Sequence, residues 1–214
     1  ILSCLVRPAP PERPLTATQT AGDEPARVFQ LDHYLIRRKV LKILGGAFHV
    51  FDRKDALVGY SQQKAFKLKE DIRVYTDDTL QEELLLVKAR QIIDFAAAYD
   101  IVDSRTGAKV GAARRKGLKS ILRDSWELLD VNDKVLGKLE EDSAGMALAR
   151  RLLSNLIPQR FRLSAGSRPP VHFAQRFNPF IYKLEVDLPQ GHGFDPRLVF
   201  ALAVLICAIE GRQD

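Results

Sequence analysis

Asp195-Pro196-Arg197-Leu198-Val199-Phe200-Ala201-Leu202-Ala203-Val204-Leu205-Ile206-Cys207-Ala208-Ile209-Glu210-Gly211 is the stretch whose reading decides the fold. Asp195 caps orphan N–H groups at a helix start, and Pro196 suits the first helical position. Gly211 ends the helix. Every position from Leu198 to Ile209 is apolar. Twelve such residues rise only ~18 Å at 1.5 Å each, against ~30 Å of membrane hydrocarbon. The length therefore predicts a helix buried on all sides, not a span. Leu198, Phe200, Leu202, Leu205, Ile206 and Ile209 are the expected core of that helix.

A helix wet on no face must be enclosed, and the rest of the chain offers mainly strands. Phe180, Tyr182, Leu184, Val186 and Leu188 alternate with Ile181, Lys183, Glu185 and Asp187, a nearly complete period-2 strand. Shorter strands read at Phe48–Asp52, Ile72–Tyr75 and Arg160–Leu163, and at Lys134–Leu139, where Val135, Gly137 and Leu139 share one face. An internal echo runs through the chain at an offset near fifty residues. Val50-Phe51-Asp52-Arg53-Lys54-Asp55 resembles Ile101-Val102-Asp103-Ser104-Arg105-Thr106, and Lys67–Tyr75 is echoed loosely by Lys119–Leu128. Two copies are too few for a propeller, but they supply two parts of one closed sheet. Ser143 to Leu156 reads as a short surface helix stopped by Pro158. The simplest architecture is a closed or nearly closed β-barrel around the C-terminal helix, which also removes exposed sheet edges.

The chain's 214 residues are 46% hydrophobic and 28% charged, an ordinary globular mixture that excludes a disordered, collagenous or coiled-coil chain. Residues 1–27 hold Pro8, Pro10, Pro11, Pro14 and Pro25 with little apolar material between them. They are expected to form a flexible tail ahead of one barrel domain at 28–214. The 33 Lys and Arg against 27 Asp and Glu leave a net charge of +6, which permits an acidic partner without requiring one. Cys4 and Cys207 are too far apart for a disulfide framework, and with the four histidines they make no metal-ligand spacing. Cys207 reads as a small buried hydrophobe. Ile1-Leu2-Ser3-Cys4 resembles a lipoprotein cleavage box, but no longer apolar stretch precedes it.

Arg37-Arg38-Lys39, Phe48-His49-Val50-Phe51-Asp52, the basic connector, and Asn178-Pro179-Phe180 ahead of the apolar helix together resemble the tubby C-terminal-like superfamily. Within it the chain is most similar to bacterial members of the LURP-one-related group, with the phospholipid scramblases as relatives. The resemblance covers roughly Val28 to Glu210 and implies a twelve-stranded barrel around a hydrophobic C-terminal helix. It also implies binding of phosphoinositide headgroups through basic residues on the barrel. The candidates in this chain are Arg114, Arg115, Lys116 and Lys119 with Arg123, and Lys64 and Lys67 with Lys69. Clustered guanidinium and ammonium groups suit phosphate oxygens; a solvated, mixed-charge barrel surface is the competing reading.

The chain departs from the scramblases in two places. It lacks their cysteine-rich segment, and before Pro196 it offers only Glu185, Asp187 and Asp195, too few oxygens for a dense calcium loop. No Gly-x-Ser-x-Gly motif and no P-loop occur, and Gly107, Gly111 and Gly117 are turn glycines. His33, His49, His172 and His192 are scattered. The expectation is a non-enzymatic domain without metal or cofactor that associates with anionic phospholipid at a membrane surface. Its expected place is cytoplasmic, peripheral to the membrane, with no transmembrane helix. The alternative is a cytoplasmic protein-interaction scaffold with an unidentified protein partner; nucleic acid is the least favoured partner.

Overall fold

The structure is a computed structural model that describes residues 26–39, 45–64, 71–90, 97–116, 125–142, 158–178 and 181–209. A 3-10 turn, Arg27–Gln30, leads into twelve strands: β1 (His33–Lys39), β2 (Gly45–Phe51), β3 (Leu57–Lys64), β4 (Ile72–Tyr75), β5 (Glu83–Ala89) and β6 (Ala98–Asp103). Then follow β7 (Lys109–Arg115), β8 (Ser125–Leu129), β9 (Val135–Glu141), β10 (Arg160–Ser164), β11 (Val171–Arg176) and β12 (Ile181–Asp187), before one helix, α1 (Pro196–Ile209). Every strand pairs antiparallel with its neighbour in sequence, and β1 closes the barrel on β12 with His33 opposite Asp187. The expected fold class is thus the observed one. The proline-rich tail and the 143–156 helix lie outside the described residues, as does Cys4.

The helix occupies the barrel interior. Each residue from Leu198 to Ile209 is at most 9% exposed, so the six expected core positions are all buried. At about 1.5–3 kcal/mol for each large apolar side chain removed from water, α1 is the largest single contributor to the core. Asp195 caps it as expected: its side chain accepts the Arg197 N–H at 2.9 Å, and its carbonyl accepts those of Leu198 and Val199. At the far end Arg38 donates from β1 to the Cys207 carbonyl at 3.2 Å, meeting one orphan acceptor of the last turn. Cys207 is fully buried, and that burial pushes its thiol pKa well up. Among the described residues no helix is long and apolar enough to cross a membrane.

Glycines on the inner face admit the helix and the segment before it. Gly111, expected in a turn, lies instead within β7, where a Cβ would stand 2.3 Å from the Leu129 carbonyl oxygen and 3.1 Å from Leu198. One at Gly137 would stand 2.6 Å from the ring of Phe194. Phe194 and the 3-10 turn's Val28 and Phe29 belong to the same core cluster; Phe29 meets Phe200 edge-on at 5.9 Å.

The internal echo is structural. The hairpins β2–β3 and β6–β7 each carry a register shift at the equivalent place, Val50/Phe51 and Ile101/Val102. Each then turns on a buried aspartate. Asp52 Oδ1 accepts the N–H groups of Lys54 and Ala56 at 2.8 and 2.9 Å, and Asp103 Oδ1 accepts those of Arg105 and Thr106. The β8–β9 hairpin repeats the device with Asp130, which accepts from Asn132 and Lys134. Its own register shift, between Leu128 and Leu129, corrects one expectation. Val135 is 41% exposed and does not share the inner face with Gly137 and Leu139, because the bulge interrupts the alternation there.

Candidate functional site

Strand direction sorts the charged residues to two ends. At one end α1 enters the barrel; at the other it exits. Each strand's terminal residue is taken together with the residue flanking it, among the described residues. At the exit end these positions hold Lys39, Lys64, Arg90, Arg115, Lys116, Arg160 and Arg176 against Asp71, Glu141 and Asp142. At the entry end they hold Lys109 and Lys134 against Asp32, Asp52, Glu82, Glu83, Asp103, Asp130 and Asp187. The entry-end turns add charges in equal number: Arg53, Lys54, Arg105 and Arg168, and Asp55, Asp77, Asp78 and Asp133. The barrel is therefore cationic where the helix leaves it and anionic where the helix enters. The net charge of +6 read from the sequence resolves into a dipolar molecule, because alternate chain directions send alternate connections to opposite ends.

The candidate cations fall within this pattern unevenly. Arg114 and Arg115 end β7 and Lys116 follows, so all three stand at or next to the exit end; Lys64, placed by its backbone, closes β3 there. Lys67, Lys69, Lys119 and Arg123 lie outside the described residues. The cluster at β7 is partly neutralised. Glu127 on β8 is only 4% exposed and takes Arg114 on one oxygen and Lys116 on the other, each at 2.6 Å. Burial opposes its charged form, but Lys116 and Arg114 outweigh burial and hold its carboxyl below the usual range. Arg115 stands in register with Trp126, on the rank that faces the interior. The β7 cations are thus two partners of one carboxylate plus an inward arginine, not three equivalent phosphate ligands.

Other exit-end cations also have partners. Arg176 meets Glu185 at 2.6 Å. Arg90 follows an exit-end terminus but is held partly by groups that belong to the entry end: it bonds Asp100 at 2.6 and 2.9 Å and Asp133 of an entry-end turn at 2.7 and 2.9 Å, and the entry-end Lys109 reaches both carboxylates at 3.1 Å. Arg90, the larger cause, and Lys109 hold the Asp133 pKa at about 2. At the entry end the pairs have a different task. Asp103 is 2% exposed and takes Arg197 of α1 at 2.8 Å, while Arg27 of the 3-10 turn pairs with Asp52. These pairs tie the hairpin turns to the elements that plug the barrel. Burial opposes the charge on Asp103, but Arg197 and the turn amides prevail and its pKa is lowered.

Sequence reasoning missed Glu127, although a signal was present: one acid in the apolar run Trp126-Glu127-Leu128-Leu129, one hairpin away from Arg114. It also missed the turn aspartates as ion-pair partners, which only the closed fold brings to Arg27 and Arg197. The histidines stay apart in role: His33 meets Asp187 at 2.7 Å, and His49 lies parallel to Phe51 and meets Tyr60 edge-on. Among the described residues no group of three or more His, Cys, Asp or Glu side chains is placed to hold a metal.

No curated protein and no solved structure matches the chain. The model of one family, LURP-one-related, matches residues 57–207. That range runs from the first residue of β3 to the last turn of α1 and includes the enclosed helix itself. With 57–207 matched, well over half of its 214 residues, the chain belongs to the LURP-one-related family.

Proposed function

We propose that this barrel is a non-enzymatic module that sets its helix-exit end against an anionic phospholipid surface, in kinship with tubby domains and phospholipid scramblases. The observation that carries the reading is the end-to-end charge asymmetry: seven cations against three carboxylates at the exit-end strand termini, and two against seven at the other end. The connections that leave and return at the exit end share the sign. Their sequences contain Lys42, Lys67, Lys69, Lys119, Arg123, Arg150 and Arg151 against Glu70, Asp94 and Asp124. They also contain Ile43, Leu44, Phe66, Leu68, Ile92, Ile93 and Phe95. Basic and apolar residues together are what an anionic lipid interface attracts. Each cation near such a surface contributes ~1 kcal/mol, and salt screens it.

The test is flotation of the whole chain with vesicles, with and without anionic lipid, at low and high salt. Binding that needs anionic lipid and weakens with salt is the expected result. Lys64→Glu and Arg160→Glu each reverse a unit charge and should each weaken binding about thirtyfold. Absence of anionic-lipid-dependent binding at low salt overturns the reading and leaves a protein-interaction scaffold in its place.

A further inference from the structure

The outer wall of the barrel is not uniform. On β9, β10 and β11 the outward residues Lys138, Glu140, Arg160, Arg162 and His172 are polar and exposed. On β1 to β4 the outward rank is aromatic and only partly buried. Arg37, His49, Tyr60 and Tyr75 stand directly opposite one another across four adjacent strands. Phe51 and Leu35 form the next pair towards the entry end. His49 meets the Tyr60 ring edge-on at 5.0 Å, and the Arg37 guanidinium lies 4.4 Å from the Phe51 centroid. The wall is electrically balanced as well. Arg37 pairs with Asp55 at 2.5 Å and Arg73 with Glu83 at 2.6 Å. A balanced aromatic surface is a poor partner for an anionic membrane. It suits apolar rings presented by an extended chain, as when proline-rich segments dock on aromatic-lined surfaces.

Such a segment enters beside this wall. The described chain starts at Ala26, and Arg27 pairs with Asp52, the residue that follows Phe51. Ahead of Ala26, residues 7–25 contain Pro8, Pro10, Pro11, Pro14 and Pro25. Extended at 3.1 Å per residue they reach ~59 Å, whereas Phe51 and Tyr75 lie two strands apart, ~10 Å. We propose that the aromatic outer wall of β1–β4 is the docking surface for this chain's own proline-bearing segment, residues 7–25. Proline's fixed φ lowers the entropy lost on docking, and the Arg27–Asp52 pair fixes the point from which the segment departs. The lipid-facing exit end plays no part in this contact.

Paramagnetic relaxation in the full chain tests the proposal. Cys207 is fully buried, so a nitroxide reagent attaches to Cys4, close to Arg7. The expected result is loss of at least half the amide intensity at His49, Tyr60 and Tyr75, with Arg162 and His172 unaffected. Pro10→Gly with Pro11→Gly and Pro14→Gly, which alters nothing in the barrel, should restore the lost signals. Tyr60→Ser with Tyr75→Ser should restore them at His49. Equal broadening on both walls, or none, overturns the proposal. So does broadening of an isotope-labelled, label-free chain mixed with a nitroxide-bearing one, which assigns the wall to a second copy.

Discussion

The two ends of the barrel use charge in opposite ways. At the helix-entry end, carboxylates are spent inside the molecule. Asp52, Asp103 and Asp130 each organise a turn, and the first two also grip Arg27 and Arg197. At the exit end cations outnumber carboxylates, and among the described residues only part of the excess is compensated, chiefly by Glu127 and Glu185, while Arg90 is drawn to Asp100 and to Asp133 of an entry-end turn. One end is a closure; the other is a surface. Substitutions should therefore separate stability from binding according to the end they touch.

The largest loss should come from Asp103→Ala. It removes two turn hydrogen bonds and the Arg197 partner from a side chain 2% exposed, and breaking a buried pair costs about 3 kcal/mol. Urea unfolding should show that loss while the folded fraction still floats with anionic vesicles. Gly111→Ala comes next. Its new Cβ meets the Leu129 backbone oxygen at 2.3 Å, and overpacking costs about 1–3 kcal/mol; a melting midpoint equal to that of the parent chain would remove the close-approach argument. Glu127→Gln should cost about 1–2 kcal/mol, as a buried ion-paired acceptor becomes neutral, yet strengthen anionic-vesicle binding by releasing Arg114 and Lys116. Weaker binding by that variant would mean that Glu127 organises the exit end and does not merely neutralise it. Lys64→Glu and Arg160→Glu should stay within about 0.5 kcal/mol of the parent in stability.

The smallest effect is one of pH. The Asp133 carboxyl, held by Arg90 at about 2, ionises well below its unfolded value of ~3.9. A depressed folded pKa adds stability above the unfolded value, and that stability is lost as the pH falls towards the folded one. Asp133 is 44% exposed at its side chain, so solvent screening keeps the contribution modest. Thermal melts of the parent chain should drop between about pH 4 and pH 2, and the drop should shrink in Arg90→Ala.

Much of this architecture was legible from residue order. The apolar run at 198–209 forced an enclosed helix, and the 180–188 alternation supplied a strand to enclose it. The repeat at fifty residues marked two equivalent hairpins. Three strands escaped notice for physical reasons. In β5 the run Leu84-Leu85-Leu86-Val87 has no alternation, since Leu84 and Leu85 are both buried around a bulge. In β1 the pattern is masked because outward Leu35 is apolar and inner-ranked Arg38 is charged. β11 had a readable signal in Val171 and Phe173 after Pro169-Pro170, but the alternation stops there, because inner-ranked Gln175 is polar and outward Ala174 is apolar. The charge asymmetry was illegible for another reason. It depends on which end each connection occupies, and that follows only once every strand is known to reverse its neighbour.

The order of elements along the chain bears on how the molecule comes into being. Eleven of the twelve strand pairings join consecutive strands, and only β1 with β12 is distant in sequence. The hairpins can thus pair one after another as the chain leaves the ribosome. Their common interior, however, is α1, which is translated after all of them. Until residue 209 has emerged, inner faces such as Phe48, Val87, Leu139 and Phe173 have nothing to close on, and a growing sheet with uncovered apolar surface is prone to aggregate. A nascent chain stalled before Asp195 should therefore remain protease-sensitive and chaperone-bound, however complete its strands, and become resistant in one step once the last turn of the helix is free.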